Sequence, residues 1–300
     1  MKKYLLLAMA IVFSFVSCSE QQFLQETLDD NTSIAACNEF NALIEQARWG
    51  DGQAYLQLAN RYRDGKGVDK DFVGMLSMVA QADKFGAINR MEDYLMEMPE
   101  GSDFKLIIDA IDDFENNHID EAKAKSEQLI ANGSPDGYSV QGIIAMEKGD
   151  TLTGIGLMER AAKAGSTFAE LLLCFSEWRG NNSPDMSKLA TLSDKIPFVN
   201  AILAEIYTGV EDKSLKDEHL AIHYFLKADE NAFLSRRGAS WLLYYHESIS
   251  NLPLSERDIQ RLQILAGGTS VGEPAPLQKC EHEENMEVID SVVVDTVNIE

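Results

Sequence analysis

Four stretches of the chain end on one short pattern. They are Gln81-Ala82-Asp83-Lys84-Phe85-Gly86, Gln128-Leu129-Ile130-Ala131-Asn132-Gly133, Arg160-Ala161-Ala162-Lys163-Ala164-Gly165 and Lys227-Ala228-Asp229-Glu230-Asn231-Ala232. Apolar residues recur before each at helical spacing, and a closing glycine suits the left-handed residue that stops a helix. Eleven places before the ends stand Met75, Ala122, Gly154 and Ala221, mostly small. Small residues on one face let a second helix approach closely. The ends fall 47, 32 and 67 residues apart, so the last gap has room for an extra unit, ending near Asn200. A final unit closes near Gly267-Gly268. A unit of this size cannot bury its apolar face alone and must stack on its neighbours. The expected fold is all-α: an α-solenoid of stacked helical hairpins over residues 34–268, with about six repeats, mostly degenerate.

Charge narrows the partners. The 26 basic and 49 acidic side chains leave a net of -23. A nucleic acid or an anionic membrane surface would meet a field of its own sign, so neither is expected. A basic or cation-bearing partner fits, with association that weakens as salt screens the field. Hydrophobic residues at 45% and charged ones at 25% are ordinary for a globular chain.

The two ends read differently from the middle. Lys2 and Lys3 precede a run from Leu5 to Val16 that is apolar except for Ser14. This is the pattern of a secretory signal over residues 1–17, and it is too short to span a bilayer, which takes about 20 apolar residues. Phe15-Val16-Ser17-Cys18 resembles the bacterial lipobox. The resemblance implies cleavage before Cys18, acylation (palmitate among the chains) at Cys18, and a lipid-anchored protein of the bacterial envelope, at the outer membrane on its periplasmic or outer side. Residues 18–33 carry no apolar period and read as a flexible tether. Beyond them, residues 269–300 hold eight acids against Lys279 alone and read as a solvated acidic tail. Within that tail, the β-branched segment from Met286 to Val297 could pair as a strand.

One unit is sharp enough to resemble a family. Leu58 and Tyr62 lie on its first helix, Gly65, Gly67 and Val68 in its turn, Asp71 at the start of its second helix, and Gly86 at its end. Ala161, Ala162 and Gly165 repeat the closing pattern. Glycine lets the chain reverse, Val68 plugs the hairpin, and Asp71 can cap a helix. This set resembles the Sel1-like repeat, a relative of the tetratricopeptide repeat, with Ala59, Met78 and Asp83 departing from its pattern. The resemblance implies an interaction scaffold that binds another envelope protein or an extended peptide.

Candidate chemistry is thin. His219 and His223 share a helix face, but His-Leu-Ala-Ile-His lacks the glutamate of the zinc-protease motif. Cys280-Glu281-His282 falls in the tail. Ser102-Asp103-Phe104-Lys105 matches the Ser-x-x-Lys of penicillin-interacting hydrolases without its companion motifs, and Ser102 reads more simply as a helix cap. Cys37, Cys174 and Cys280 have no metal-type spacing, and Cys174 reads as a buried thiol. Trp49, Trp178, Trp241, Tyr244 and Tyr245 could form a carbohydrate- or peptidoglycan-binding platform, or fill the core between repeats. No enzymatic activity, cofactor or metal is expected.

Overall fold

A computed structural model describes residues 30–176, 184–210, 212–248, 252 and 254–267. The regular elements among the described residues are fourteen α-helices and one short 3-10 helix, Lys213–Leu215. The first seven helices are α1 (Asp30–Arg48), α2 (Gly52–Asp64), α3 (Phe72–Lys84), α4 (Met91–Met96), α5 (Asp103–Glu115), α6 (Ile119–Ala131) and α7 (Asp136–Glu147). They continue as α8 (Thr151–Lys163), α9 (Thr167–Ser176), α10 (Met186–Ser193), α11 (Val199–Tyr207), α12 (Glu218–Glu230), α13 (Arg236–Ser248) and α14 (Glu256–Leu265). Helix α1 begins at Asp30, so residues 30–33, expected as tether, are helical. None of the described helices is long and apolar enough to cross a membrane. Cys18, the acidic tail with Cys280 and residues 286–297, and Trp178 lie outside the described residues.

The chain leaves its helices by one device. At Gly86, Gly133, Gly165 and Ala232, φ is +74°, +84°, +97° and +66°. The amide of each donates to the carbonyl three residues back. The next amide reaches five back: Ala87 to Ala82, Ser134 to Leu129, Ser166 to Ala161, Phe233 to Ala228. These paired bonds satisfy carbonyls that a helix end would otherwise orphan. Gly50, Asn117 and Gly149 close α1, α5 and α7 in the same way. From 117 to 165 the closing residues fall every 16 positions, which makes α5 to α8 the regular heart of the stack. The extra unit departs from the expected boundary. Its helix α10 ends at Ser193, and Asn200 sits in the first turn of α11, donating back to the carbonyls of Ser193 (3.1 Å) and Pro197 (3.0 Å).

Consecutive helices pack as hairpins: α2 on α3, α5 on α6, α7 on α8, α11 on α12 and α13 on α14, with α9 against α8 and α10 against α11. Met75, Ala122, Gly154 and Ala221 are all buried where paired helices meet. At Gly154 the approach is backbone to backbone. A β-carbon there would lie 2.2 Å from Met146 Cγ and 2.8 Å from the Gly142 carbonyl oxygen.

The stack also curls onto itself. Helix α3 is buried at every position from Phe72 to Ala82, as a helix apolar on nearly all sides must be, with Ser77 and Gln81 the polar exceptions. The Phe72 ring meets Phe104 of α5 and Phe168 of α9, each at 5.3 Å between centroids. Tyr62 of α2 meets Phe233 at 6.2 Å, and Gln81 donates to the Leu234 carbonyl at 3.4 Å. The first hairpin therefore touches both the middle and the far end of the stack.

Candidate partner-binding cleft

The repeat-signature residues lie on α2, at the start of α3, on α8 and in the turns beside them. Leu58 and Tyr62 are buried on α2, and Val68 is buried beneath the turn. Gly65 and Gly67 take φ of +71° and +76°. Asp71 accepts from the Val73 amide at 3.1 Å, capping α3. Ala161 is buried and Ala162 half-buried on α8, and Gly165 closes it.

The other candidates do not assemble. Ser102 occupies the N-cap position of α5, yet its hydroxyl donates to the Pro99 carbonyl (2.7 Å) and makes no capping bond. The Ser102 amide also reaches Pro99, so the side chain completes the preceding turn. Lys105 is turned away from Ser102 and pairs with Asp109 at 2.6 Å. His219 and His223 are exposed on α12, and the described residues contain no cluster able to hold a metal. Cys174 is buried and unbridged, and Cys37 is half-buried and unbridged. Trp241 and Tyr245 stack at 5.3 Å inside the core, at 3% and 1% exposure, so they offer no open sugar platform. Trp49 is covered in part by the Arg257 guanidinium, 5.8 Å from its ring centre.

What the structure does open is a cleft of about 520 Å³ between α8, α9 and α10. Three residues join α7 to α8 and α8 to α9, whereas nine separate α9 from α10. Helix α10 is also short, at eight residues, so the described residues leave part of the α8–α9 pair uncovered. The floor is apolar: Ile155, Leu173, Cys174 and Leu192. One wall carries Glu159 of α8 and Glu170 of α9, and the other carries Ser187, Lys188, Thr191 and Lys195. Lys195 bridges to Glu170, while Lys188 approaches Asp185 at 3.4 Å. The second oxygen of Glu170 is buried and accepts no hydrogen bond. Leu152 stands on the same face of α8 as Ile155 and Glu159, at 86% exposure, and carries the apolar strip out to solvent. An apolar floor between walls of opposite charge suits a bound segment that offers apolar anchors with flanking charges.

The sequence holds one trace of this cleft. Lys188, Thr191 and Lys195 recur at helical spacing, but their facing wall comes from a different hairpin.

No family model matches the chain, and no curated protein matches it. Among solved structures the chain is similar to a Sel1 repeat protein from Oxalobacter formigenes, at 15% identity and a TM-score of 0.39. That alignment covers 77% of this chain and 99% of the other.

Proposed function

We propose that this chain is a non-enzymatic helical-repeat scaffold, held at the bacterial envelope by a lipid on Cys18, that grips a segment of a partner protein in the α8–α10 cleft. The observation that supports the reading is the cleft itself: an apolar floor between a carboxylate wall and an ammonium wall, continued outward by exposed Leu152. The net charge of -23 favours a partner that is basic outside the gripped segment.

Ser187, Lys188, Thr191 and Lys195 are exposed, so changing them leaves the core intact. Lys188→Glu combined with Thr191→Trp reverses one wall and fills the cleft. Capture of a partner from detergent-solubilised envelopes should fall about tenfold in affinity, about 1.4 kcal/mol, with unchanged circular dichroism. Equal capture by the variant would move the interface elsewhere. Capture by the native chain that is insensitive to salt would reject the electrostatic part.

The anchor has its own test. Cys18→Ala should abolish labelling by a palmitate analogue and move the protein out of the detergent phase. A chain starting at Ser19 should remain helical and melt cooperatively. Labelling that persists in Cys18→Ala rejects the anchor and the localisation built on it. Protease shaving of intact cells then decides which side of the membrane the scaffold faces.

A further inference from the structure

Resting on the α8–α10 cleft as the place of binding, we propose that the gripped segment is an amphipathic α-helix of the partner, which lies against Gly156 of α8 with a basic residue facing Glu159 and an acidic residue facing Lys188. Helix α8 carries two glycines two positions apart, so they stand on opposite sides of it. Gly154 belongs to the buried side with Met158 and Ala161. A β-carbon on Gly142 of α7 would lie 3.0 Å from the Gly154 carbonyl oxygen, and one on Gly154 would collide with Met146. The α7–α8 pair is thus closed backbone to backbone, and the fold itself requires Gly154.

Gly156 is different. It is exposed, and a β-carbon on it would meet no described atom within 4 Å. Its backbone is outside the positive-φ region that favours glycine, so alanine would fit. A glycine within a helix lowers stability about two- to fivefold relative to alanine. The fold carries that cost without a described contact that uses it. One turn earlier stands Leu152, the most exposed large apolar side chain among the described residues. At about 100° per residue, Leu152, Ile155, Gly156 and Glu159 form one strip along α8. Ile155 and Glu159 also line the cleft. An exposed leucine, an uncovered stretch of helix backbone and an apolar cleft are therefore continuous.

The cleft favours a helical occupant because a bound backbone must satisfy its own N–H and C=O groups. Ile155, Leu173, Cys174 and Leu192 on the floor offer it no strong hydrogen-bonding group. The polar groups of the wall are already engaged: the Thr191 hydroxyl donates to the Ser187 carbonyl at 3.0 Å, Lys195 bridges to Glu170, and Lys188 approaches Asp185. An extended peptide would leave amides unmet over this floor, whereas a helix bonds them internally. Gly156 admits that helix closely, as Gly154 admits α7. Its apolar stripe then reaches the floor, and its flanks meet walls of opposite charge.

Stability and binding should move in opposite directions at this position. Gly156→Ala should raise the folding constant from urea titrations about two- to fivefold. A fall would show that the fold needs this glycine and overturns the proposal. The partner segment is located by a photo-crosslinking residue at position 152 of the full chain in intact envelopes, and is then synthesised as a peptide. Failure to cross-link there also overturns the proposal. On mixing with the native chain, the peptide should gain helicity by circular dichroism. A central proline in the peptide should weaken binding on the order of a hundredfold. Gly156→Leu in the protein should weaken it about tenfold. Binding without a gain in helicity, equal binding by the proline peptide, or equal binding to Gly156→Leu overturns the helix. The cleft is judged apart. If Lys188→Glu with Thr191→Trp weakens the peptide and Gly156→Leu does not, the cleft stands and the helix against Gly156 falls. If neither change weakens it, both fall.

Discussion

Asp229→Ala should destabilise the fold by about 3 kcal/mol, because it removes the carboxylate that two largely buried guanidinium groups share, leaving Arg48 its bond to Glu45 (2.6 Å) and Arg261 only Asp258 at 3.7 Å. Arg261 donates to both oxygens of Asp229, at 2.6 and 2.5 Å, and Arg48 donates to one of them at 3.0 Å. The side chains of Arg261 and Asp229 are 5% and 7% exposed, and that of Arg48 is 19% exposed. Solvent screening is therefore weak at the centre of the group. The triad joins α1, α12 and α14, and Arg261 also donates to the Arg48 carbonyl at 3.3 Å. Breaking it should release both termini of the stack together. Urea titration followed by circular dichroism would read the loss, and hydrogen exchange should place the new openings in α1 and α14. A loss under about 1 kcal/mol would mean that water satisfies the guanidinium groups and that the closure is weaker than its geometry implies. Replacing the three residues together by apolar ones of similar volume should restore much of the stability, since the uncompensated charges are then gone.

Phe72→Ala should cost about 3–5 kcal/mol by opening a cavity among three rings. Phe72 is 2% exposed and meets Phe104 and Phe168 edge to face. Such ring pairs add about 0.5–1.5 kcal/mol each beyond the area they bury. Phe72→Leu should cost less, because it keeps most of the volume while losing the ring geometry. The effect should reach α9, so thermal melts paired with hydrogen exchange at residues 167–176 are the measurement. Full protection of α9 in Phe72→Ala would show that the middle of the stack does not depend on the first hairpin. The Asp229 and Phe72 sites share no contact, so their effects should add if the curled stack unfolds as one cooperative unit.

Much of this architecture was legible before any coordinates because it is local. A helix end is set by a few neighbouring residues, so Gly86, Gly133 and Gly165 marked their turns, and alignment alone placed Ala232 with them. Ala232 then takes φ of +66°, with its methyl buried, at a cost that glycine would not bear. Asn117 closes α5 identically without the glycine that marks the other turns, and asparagine tolerates this conformation better than most residues. Ser102 reads as a cap because residue type indicates what a hydroxyl can do, while the Pro99 turn decides what it does.

The sequence by itself determined that the chain is a run of helical hairpins, with Asp71 capping α3 and with mostly small residues at one recurring position of the paired helices. Those features depend on hydrogen bonds and contacts within about one repeat. The curl, the enclosure of α3, the Arg48–Asp229–Arg261 closure and the α8–α10 cleft were decided only by tertiary structure. The partners of the curl and of the closure lie far apart in the chain, 153 residues for Gln81 and Leu234 and 181 for Arg48 and Asp229, while the cleft needs two hairpins set against each other. Each hairpin turns slightly against the last, and those rotations add over the whole stack. Where the first hairpin meets the last is a sum over every unit between them, and no local pattern carries that sum.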